Sequence, residues 1–366
     1  MIMFNPLLIV CCITSFAFMV SSCSHENIGK YADNVYNVAD NDKRVYIGDY
    51  IKSLDITPLD TSVFLYDVKD FTTCGNLLFV SDGECIYKFD TKSGLVLARY
   101  NKRGHGHNEY VRMIGFDVDS VNKTIFVLAE PPKIIVLSFD FETLKEIDLH
   151  EFYHSIAFFQ GNIYLYSYFS QTLNVLRDGK MVEIVDLPIT PAWFSSLSLK
   201  TFYKSKDELM FFPQPYSSVY SVKGDSIKQI IHFSYPEEEH KMDRVYGHRI
   251  IRGTDDILAN SLPVIRSVAQ HDELMIVTYT YGIKCRVCLL DLASKQIIND
   301  GYISFYQFPS TTCDGSFANL EMMFHNSFQP SLDSLKAEVN YTLPEDKNNE
   351  QLALVKYYFR PDLIAK

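Results

Sequence analysis

Residues 76–100 contain Asn76-Leu-Leu-Phe-Val80, Cys85-Ile-Tyr-Lys-Phe89, the turn Asp90-Thr-Lys-Ser-Gly94 and Leu95-Val-Leu-Ala-Arg-Tyr100. Each apolar run has the length of a strand, and its β-branched and aromatic content suits a pleated, buried surface. The unit recurs along the chain. Runs matching the first are Lys123–Leu128, Gly161–Tyr166, Asp207–Phe212, Asp272–Val277 and Asn319–Phe324. Runs matching the second are Lys133–Leu137, Leu173–Leu176, Ser218–Val222, Cys285–Leu290 and Leu352–Tyr357. In five units a turn such as Arg177-Asp-Gly-Lys180 or Lys223-Gly-Asp225 leads into a further strand, the others being Leu144–Leu149, Met181–Leu187, Ser226–Phe233 and Gln296–Asn299. Such turns provide the positive φ that tight hairpins need.

Four strands per unit with a period of about 40–50 residues is the pattern of a β-propeller. The expected fold is all-β, a six-bladed propeller with four antiparallel strands per blade. The sixth unit reaches Lys366 without an outer strand, whereas Arg44–Leu54 is a strand-like segment without a unit. Pairing the two closes the ring and removes an exposed edge.

The start of the chain carries an address. An apolar run from Leu7 to Val20 ends in Val20-Ser21-Ser22-Cys23, which matches a lipobox, the sequence cleaved before a cysteine that receives lipid. It is too short and too near a cleavage site to be read as a spanning helix. Residues 1–22 lack the Lys or Arg of an ordinary signal n-region. The expected organisation is a lipoprotein signal peptide over 1–22, a lipidated Cys23 with a polar, flexible tether over 23–43, and the propeller over 44–366. Asp40-Asn41-Asp42 lacks the spacing of a calcium loop and belongs to that tether.

A formal net charge of −11 argues against nucleic acid and against polybasic attachment to anionic lipid, leaving the membrane contact to lipid on Cys23. No cofactor motif is present, and a monomer is expected. After loss of the signal and lipidation of Cys23, five cysteines remain: Cys74, Cys85, Cys285, Cys288 and Cys313. Cys285-Arg-Val-Cys288 has CxxC spacing, but positions three apart on a strand point to opposite faces. Cys74 and Cys85 fall on the first and third strands of one blade, beyond disulfide reach. Buried free thiols are expected.

Asn101-Lys-Arg-Gly-His-Gly-His-Asn-Glu-Tyr110 resembles the Gly-Arg/Lys-x-Gly-x-Gly-Pro-x-Glu-Phe/Tyr segment of the six-bladed propeller lipoproteins of Gram-negative bacteria, relatives of NHL-repeat and TolB-like propellers. Ile51–Asp60 is similar to that family's N-terminal strand and Asn349–Phe359 to its terminal one, so the resemblance covers most of residues 44–360. One departure is His107 or Asn108 where the family has Pro. The resemblance implies the fold and a cell-envelope location, periplasmic or at the outer-membrane surface, without a defined activity.

Arg103, His105 and His107 offer donors to an anionic or sugar group. The competing structural reading has the glycines permitting a tight crossing between blades while Arg103 and Glu109 pair. The two histidines alternate, but sequence places no third ligand, so no metal site is assigned. A long insertion, Tyr235–Asp256, breaks the repeat and concentrates charge, with His248, Arg249 and Arg252 as candidate ligand-binding residues. Asp119-Ser120-Val121, Asp225-Ser226-Ile227 and Asp333-Ser334-Leu335 resemble an O-glycosylation sequon of some Gram-negative envelope proteins, making Ser120, Ser226 and Ser334 candidate acceptors. No triad, paired carboxylate or phosphate loop is legible, so the catalytic residues are unknown. The expected function is a non-catalytic binding or scaffold module for a protein, peptide or glycan. The alternative is an envelope hydrolase or lyase acting at the channel.

Overall fold

The computed structural model describes residues 34–37, 43–63, 65, 68–167, 169–186, 200–205, 207–213, 217–234, 264–281, 284–303, 311–313, 316–323, 338–340 and 351–360. Two strands precede the first blade, β1 (Asn34–Asn37) and β2 (Ile51–Pro58). Blade 1 is β3 (Asp70–Cys74), β4 (Leu77–Ser81), β5 (Ile86–Asp90) and β6 (Val96–Tyr100). Blade 2 is β7 (Arg112–Asp119), β8 (Thr124–Glu130), β9 (Lys133–Ser138) and β10 (Thr143–Asp148). Blade 3 is β11 (Ser155–Phe159), β12 (Asn162–Ser167), β13 (Thr172–Arg177) and β14 (Lys180–Asp186). Blade 4 is β15 (Phe202–Lys204), β16 (Leu209–Phe211), β17 (Ser218–Lys223) and β18 (Ser226–Ser234). Blade 5 is β19 (Val264–His271), β20 (Leu274–Tyr281), β21 (Lys284–Asp291) and β22 (Gln296–Tyr302). Blade 6 takes β23 (Thr311–Cys313), β24 (Ser316–Met323) and β26 (Gln351–Phe359), with β25 (Glu338–Asn340) also in its sheet.

Inner strands meet in ring order, β3 with β7, β7 with β11, and on round to β23 with β3, which makes the molecule a six-bladed propeller. The middle strands of each blade are sandwiched between neighbouring blades and need apolar side chains on both faces. Thus β8 and β9 are buried almost throughout, whereas the outer strand β10 is half-buried or exposed along its length. The core is a set of layers between blades. Phe79, Ile86 and Tyr100 of blade 1 pack with Phe116, Ile125 and Val127 of blade 2. Leu78, Val80 and Phe89 meet Ala318, Leu352 and Leu354 across the closure.

The ring closes through the N-terminal strand. β2 pairs antiparallel with β26 and takes the fourth position of blade 6, with β25 added in parallel beyond it. The strand lies at Ile51–Pro58 instead of Arg44–Leu54, because Lys43–Val45 are used elsewhere: Val45 N donates to Tyr302 O and Tyr302 N to Lys43 O, both at 2.9 Å, on the outer edge of blade 5. Residues 34–37, read above as tether, form β1 and pair in parallel with β18 on the outer edge of blade 4. The N-terminal segment therefore covers three consecutive blade edges.

Each outer strand also carries one bulged residue against its inner neighbour. The skipped positions are Leu97, Leu144, Ile184, Ile230, Ile298 and, in the strand contributed by the N-terminus, Lys52. An extra residue on the outer strand increases local twist. β2 shares this device with the five regular outer strands.

Candidate functional site

In the complete blades the first strand starts, the second ends and the fourth ends on one face of the ring. On that face a mouth of about 560 Å³ is lined by Lys69, Asp82, Glu84, Arg103, Arg112 and Glu130 among others. It is continuous with a cavity of about 230 Å³ between the inner strands of blades 1–4, sharing Asp70, Ile114, Gly115 and His154.

The cavity is crossed by two ion pairs from blade 4. Lys204 Nζ lies 2.5 Å from Asp117 Oδ1 of β7 and donates also to Val118 O at 3.1 Å. Asp117 Oδ2 in turn accepts from the backbone N–H of Phe158 in β11 at 2.6 Å. Lys200 lies 3.6 Å from Asp70 of β3 and donates to Phe71 O at 3.2 Å. Burial pushes the Asp70 carboxyl above its usual range, and the Lys200 ammonium partly offsets this. These pairs tie blade 4 to blades 1 and 2 across the axis, and they satisfy one another.

The charges of the mouth are also engaged. Arg103 Nη1 lies 2.5 Å from Glu84 Oε1, and Arg112 Nη2 lies 2.9 Å from Glu130 Oε1. Asp82 accepts from the backbone N–H groups of Glu84 and Cys85 and from the Tyr87 hydroxyl, holding the turn of blade 1 that faces the opening. His154 stands between mouth and cavity, half-buried, with its ring edge-on to Phe169 at 4.7 Å. Burial, and then the Arg112 guanidinium, hold the imidazole below its ordinary value.

Of the sequence candidates, Arg103 lines the mouth. Its partner is Glu84 and not Glu109, which corrects the pairing expected from sequence. Glu109 folds back over the glycines of its own segment: Oε2 accepts from Gly106 N at 2.7 Å, and a Cβ at Gly104 would come within 2.1 Å of it. His105 and His107 are exposed on this segment and line neither space. Among the described residues no group of three His, Cys, Asp or Glu could hold a metal ion. Asn108 has φ +60°, a conformation closed to proline, whereas His107, the residue that follows Gly106 where the family has Pro, is not among the residues with positive φ. Ser120 and Ser226 are exposed in or beside turns on the opposite face, where Ser120 also lines the far end of the cavity. Ser334, Cys23, His248, Arg249 and Arg252 lie outside the described residues. Cys74, Cys85, Cys285 and Cys288 form no disulfide; Cys85 and Cys288 are buried as expected, whereas Cys74 and Cys285 are half-buried, and burial pushes the Cys288 thiol well up.

Arg112, His154 and the lysines of the cavity escaped the sequence reading. They sit singly at strand starts or on short inner strands, and no local pattern marks them.

Residues 33–352 match the family DUF4934, a domain of unknown function. No curated protein matches the chain. Among solved structures, the fold is similar to that of a protein of Bacteroides fragilis NCTC 9343 proposed to be exported, with a TM-score of 0.65 and 14% identity over 89% of this chain and 99% of that one. It is similar also to a member of the DUF4221 family from Bacteroides vulgatus, with a TM-score of 0.50 and 12% identity over 85% of this chain and 97% of that one. At such identities the likeness is one of fold.

Proposed function

The chain belongs to the DUF4934 family, and from that premise we propose that it is a lipid-anchored envelope protein of a Gram-negative bacterium, akin to the NHL-like propeller lipoproteins, whose propeller binds a protein, peptide or glycan at its mouth without catalysis. The observation that carries this reading is the funnel, a mouth of about 560 Å³ opening onto a cavity of about 230 Å³. Its size is that of a ligand site. Arg103, Arg112, Glu84, Glu130, Lys204 and Asp117 are matched in ion pairs, a lining suited to recognition by hydrogen bonding.

The lipobox before Cys23 supports the anchor, and the proposed export of the B. fragilis protein accords with it. The segment bearing His248, Arg249 and Arg252 connects the end of β18 to the start of β19, both on the mouth face, so these residues are retained as proposed contributors to ligand binding. Ser120, Ser226 and Ser334 are retained as proposed O-glycan acceptors. A hydrolase or lyase has one observation in its favour: His154, held neutral at pH 7, stands where mouth meets cavity.

A photoreactive residue at Val111 in the mouth, compared with one at Val121 on the opposite face, tests the site in intact cells. Crosslinks to one partner from position 111 and none from 121 are expected; the reverse pattern removes the mouth as the site. The anchor is tested by Cys23→Ala, which is expected to leave the membrane fraction and to lose labelling by a fatty-acid analogue.

A further inference from the structure

The face around the mouth is not uniformly polar. Phe169 in the β12–β13 turn is 62% exposed, Phe152 in the β10–β11 connection 53%, and Val111 at the start of blade 2 is 37% exposed. All three stand on the mouth face. Phe169 is joined to the opening through its edge contact with His154, and Val111 and Arg112 line the opening itself. Apolar side chains left in water beside a concave site mark a surface completed by a partner. Next to them stand two Arg–Glu ion pairs, Arg103–Glu84, exposed, and Arg112–Glu130, in which Glu130 is half-buried, so the rim offers both donors and acceptors.

From this juxtaposition, and resting on the reading of the mouth as a binding site, we propose that the ligand is an extended polypeptide segment: an apolar side chain seats against Phe169 and Val111 beside His154, and flanking charged or backbone groups exchange into the two Arg–Glu pairs. Charge decides against a polyanion. The mouth carries Lys69, Arg103 and Arg112 against Asp82, Glu84 and Glu130, with Asp70 facing Lys200 within the funnel, a balance that gives an acidic polymer no net field. Hydrophobic packing decides against a neutral glycan. The exposed rings are phenylalanines, which lack the polar handle that tyrosine and tryptophan bring to mixed surfaces, whereas an aliphatic or aromatic side chain gains full contact with them. A polypeptide supplies apolar anchors and mixed charge together.

Selection of a random peptide display library on the full chain, in parallel with an oligosaccharide array, tests the class of ligand. Enriched peptides are expected to share an aromatic or large aliphatic residue flanked by charged ones, and the array to stay unbound. By fluorescence polarisation an enriched peptide is expected to lose more than tenfold in affinity with Phe169→Ser or Val111→Asp, and to be unaffected by Val121→Asp on the opposite face. Both mouth substitutions are at exposed positions, so wild-type melting temperatures serve as the folding control. Oligosaccharide binding lost in Phe169→Ser would overturn the polypeptide assignment and keep the mouth. Peptide binding that survives both mouth substitutions would overturn the mouth itself, as would the absence of binding to either collection.

Discussion

His154 shows how one side chain joins the packing of the propeller to its proposed site. It follows the β10–β11 connection, its backbone N–H donates to Tyr166 O at 2.8 Å, and its ring is covered on one side by Phe169. Burial first, and Arg112 second, disfavour the protonated ring. In the unfolded chain the same imidazole takes a proton near the ordinary value of about 6.5. A depressed folded value means that the unfolded state binds more protons as the pH falls through that window, so acidification costs stability. The wild-type melting temperature is therefore expected to drop between pH 7.5 and 5.5 by more than that of His154→Gln, in otherwise identical buffers. Equal drops would show that the ring is not held neutral by its surroundings. The same residue illustrates a limit of reading the chain. Arg103 stands out because it sits in a glycine-rich segment with a recognisable spacing, whereas His154 and Arg112 become neighbours only when the starts of β7 and β11 converge on the axis.

At the level of the element, the strands most legible in sequence are those whose physics is simplest. The second and third strands of each blade are covered on both faces and so must be written as apolar runs. The innermost strands are harder to see: β15 has only Phe202-Tyr-Lys204, and its channel-facing lysine interrupts the pattern. β1 is hardest of all, because Asn34-Val-Tyr-Asn37 is held by backbone pairing and one buried ring, Tyr36, which lies 6.1 Å from Phe233. The bulges leave no compositional mark either, since five of the six extra residues are the same Leu or Ile that fill the rest of the strands. The N-terminal segment nevertheless protects the edges of β18 and β22, and an uncovered edge is a template for association. Tyr36→Ala is expected to cost about 3 kcal/mol, the scale for removing a large buried ring. Gly301→Ala tests the second attachment, because a Cβ there would meet Lys43 O at 2.3 Å; the crowding is expected to cost about 1–3 kcal/mol. Denaturant unfolding checks both. Deletion of residues 24–33 serves as the comparison and is expected to leave the midpoint unchanged.

For the whole molecule, topology relates the two ends of the proposed function, the anchor and the mouth. β18 runs toward the mouth face, since β19 begins there. β1 is parallel to it, with Asn34 level with Ile231 and Asn37 level with Ser234, so the chain reaches Asn34 heading toward the mouth from the side of the opposite face. Between Cys23 and Asn34 stand residues 24–33, which span at most about 35 Å even when fully extended. With the proposed anchor at Cys23, the membrane is expected to lie nearer the face that carries Ser120 and Val121, and the mouth to open away from it. That orientation suits a partner in the aqueous compartment better than a lipid headgroup. It is measurable by energy transfer in vesicles bearing the lipidated protein, with a donor placed through a non-natural amino acid at Val121 or at Val111 and an acceptor on the headgroups. Transfer is expected to be stronger from position 121, whose side chain is 85% exposed on the face opposite the mouth. Stronger transfer from position 111 would turn the mouth toward the membrane, and the polarity inferred from the parallel pairing of β1 would be wrong.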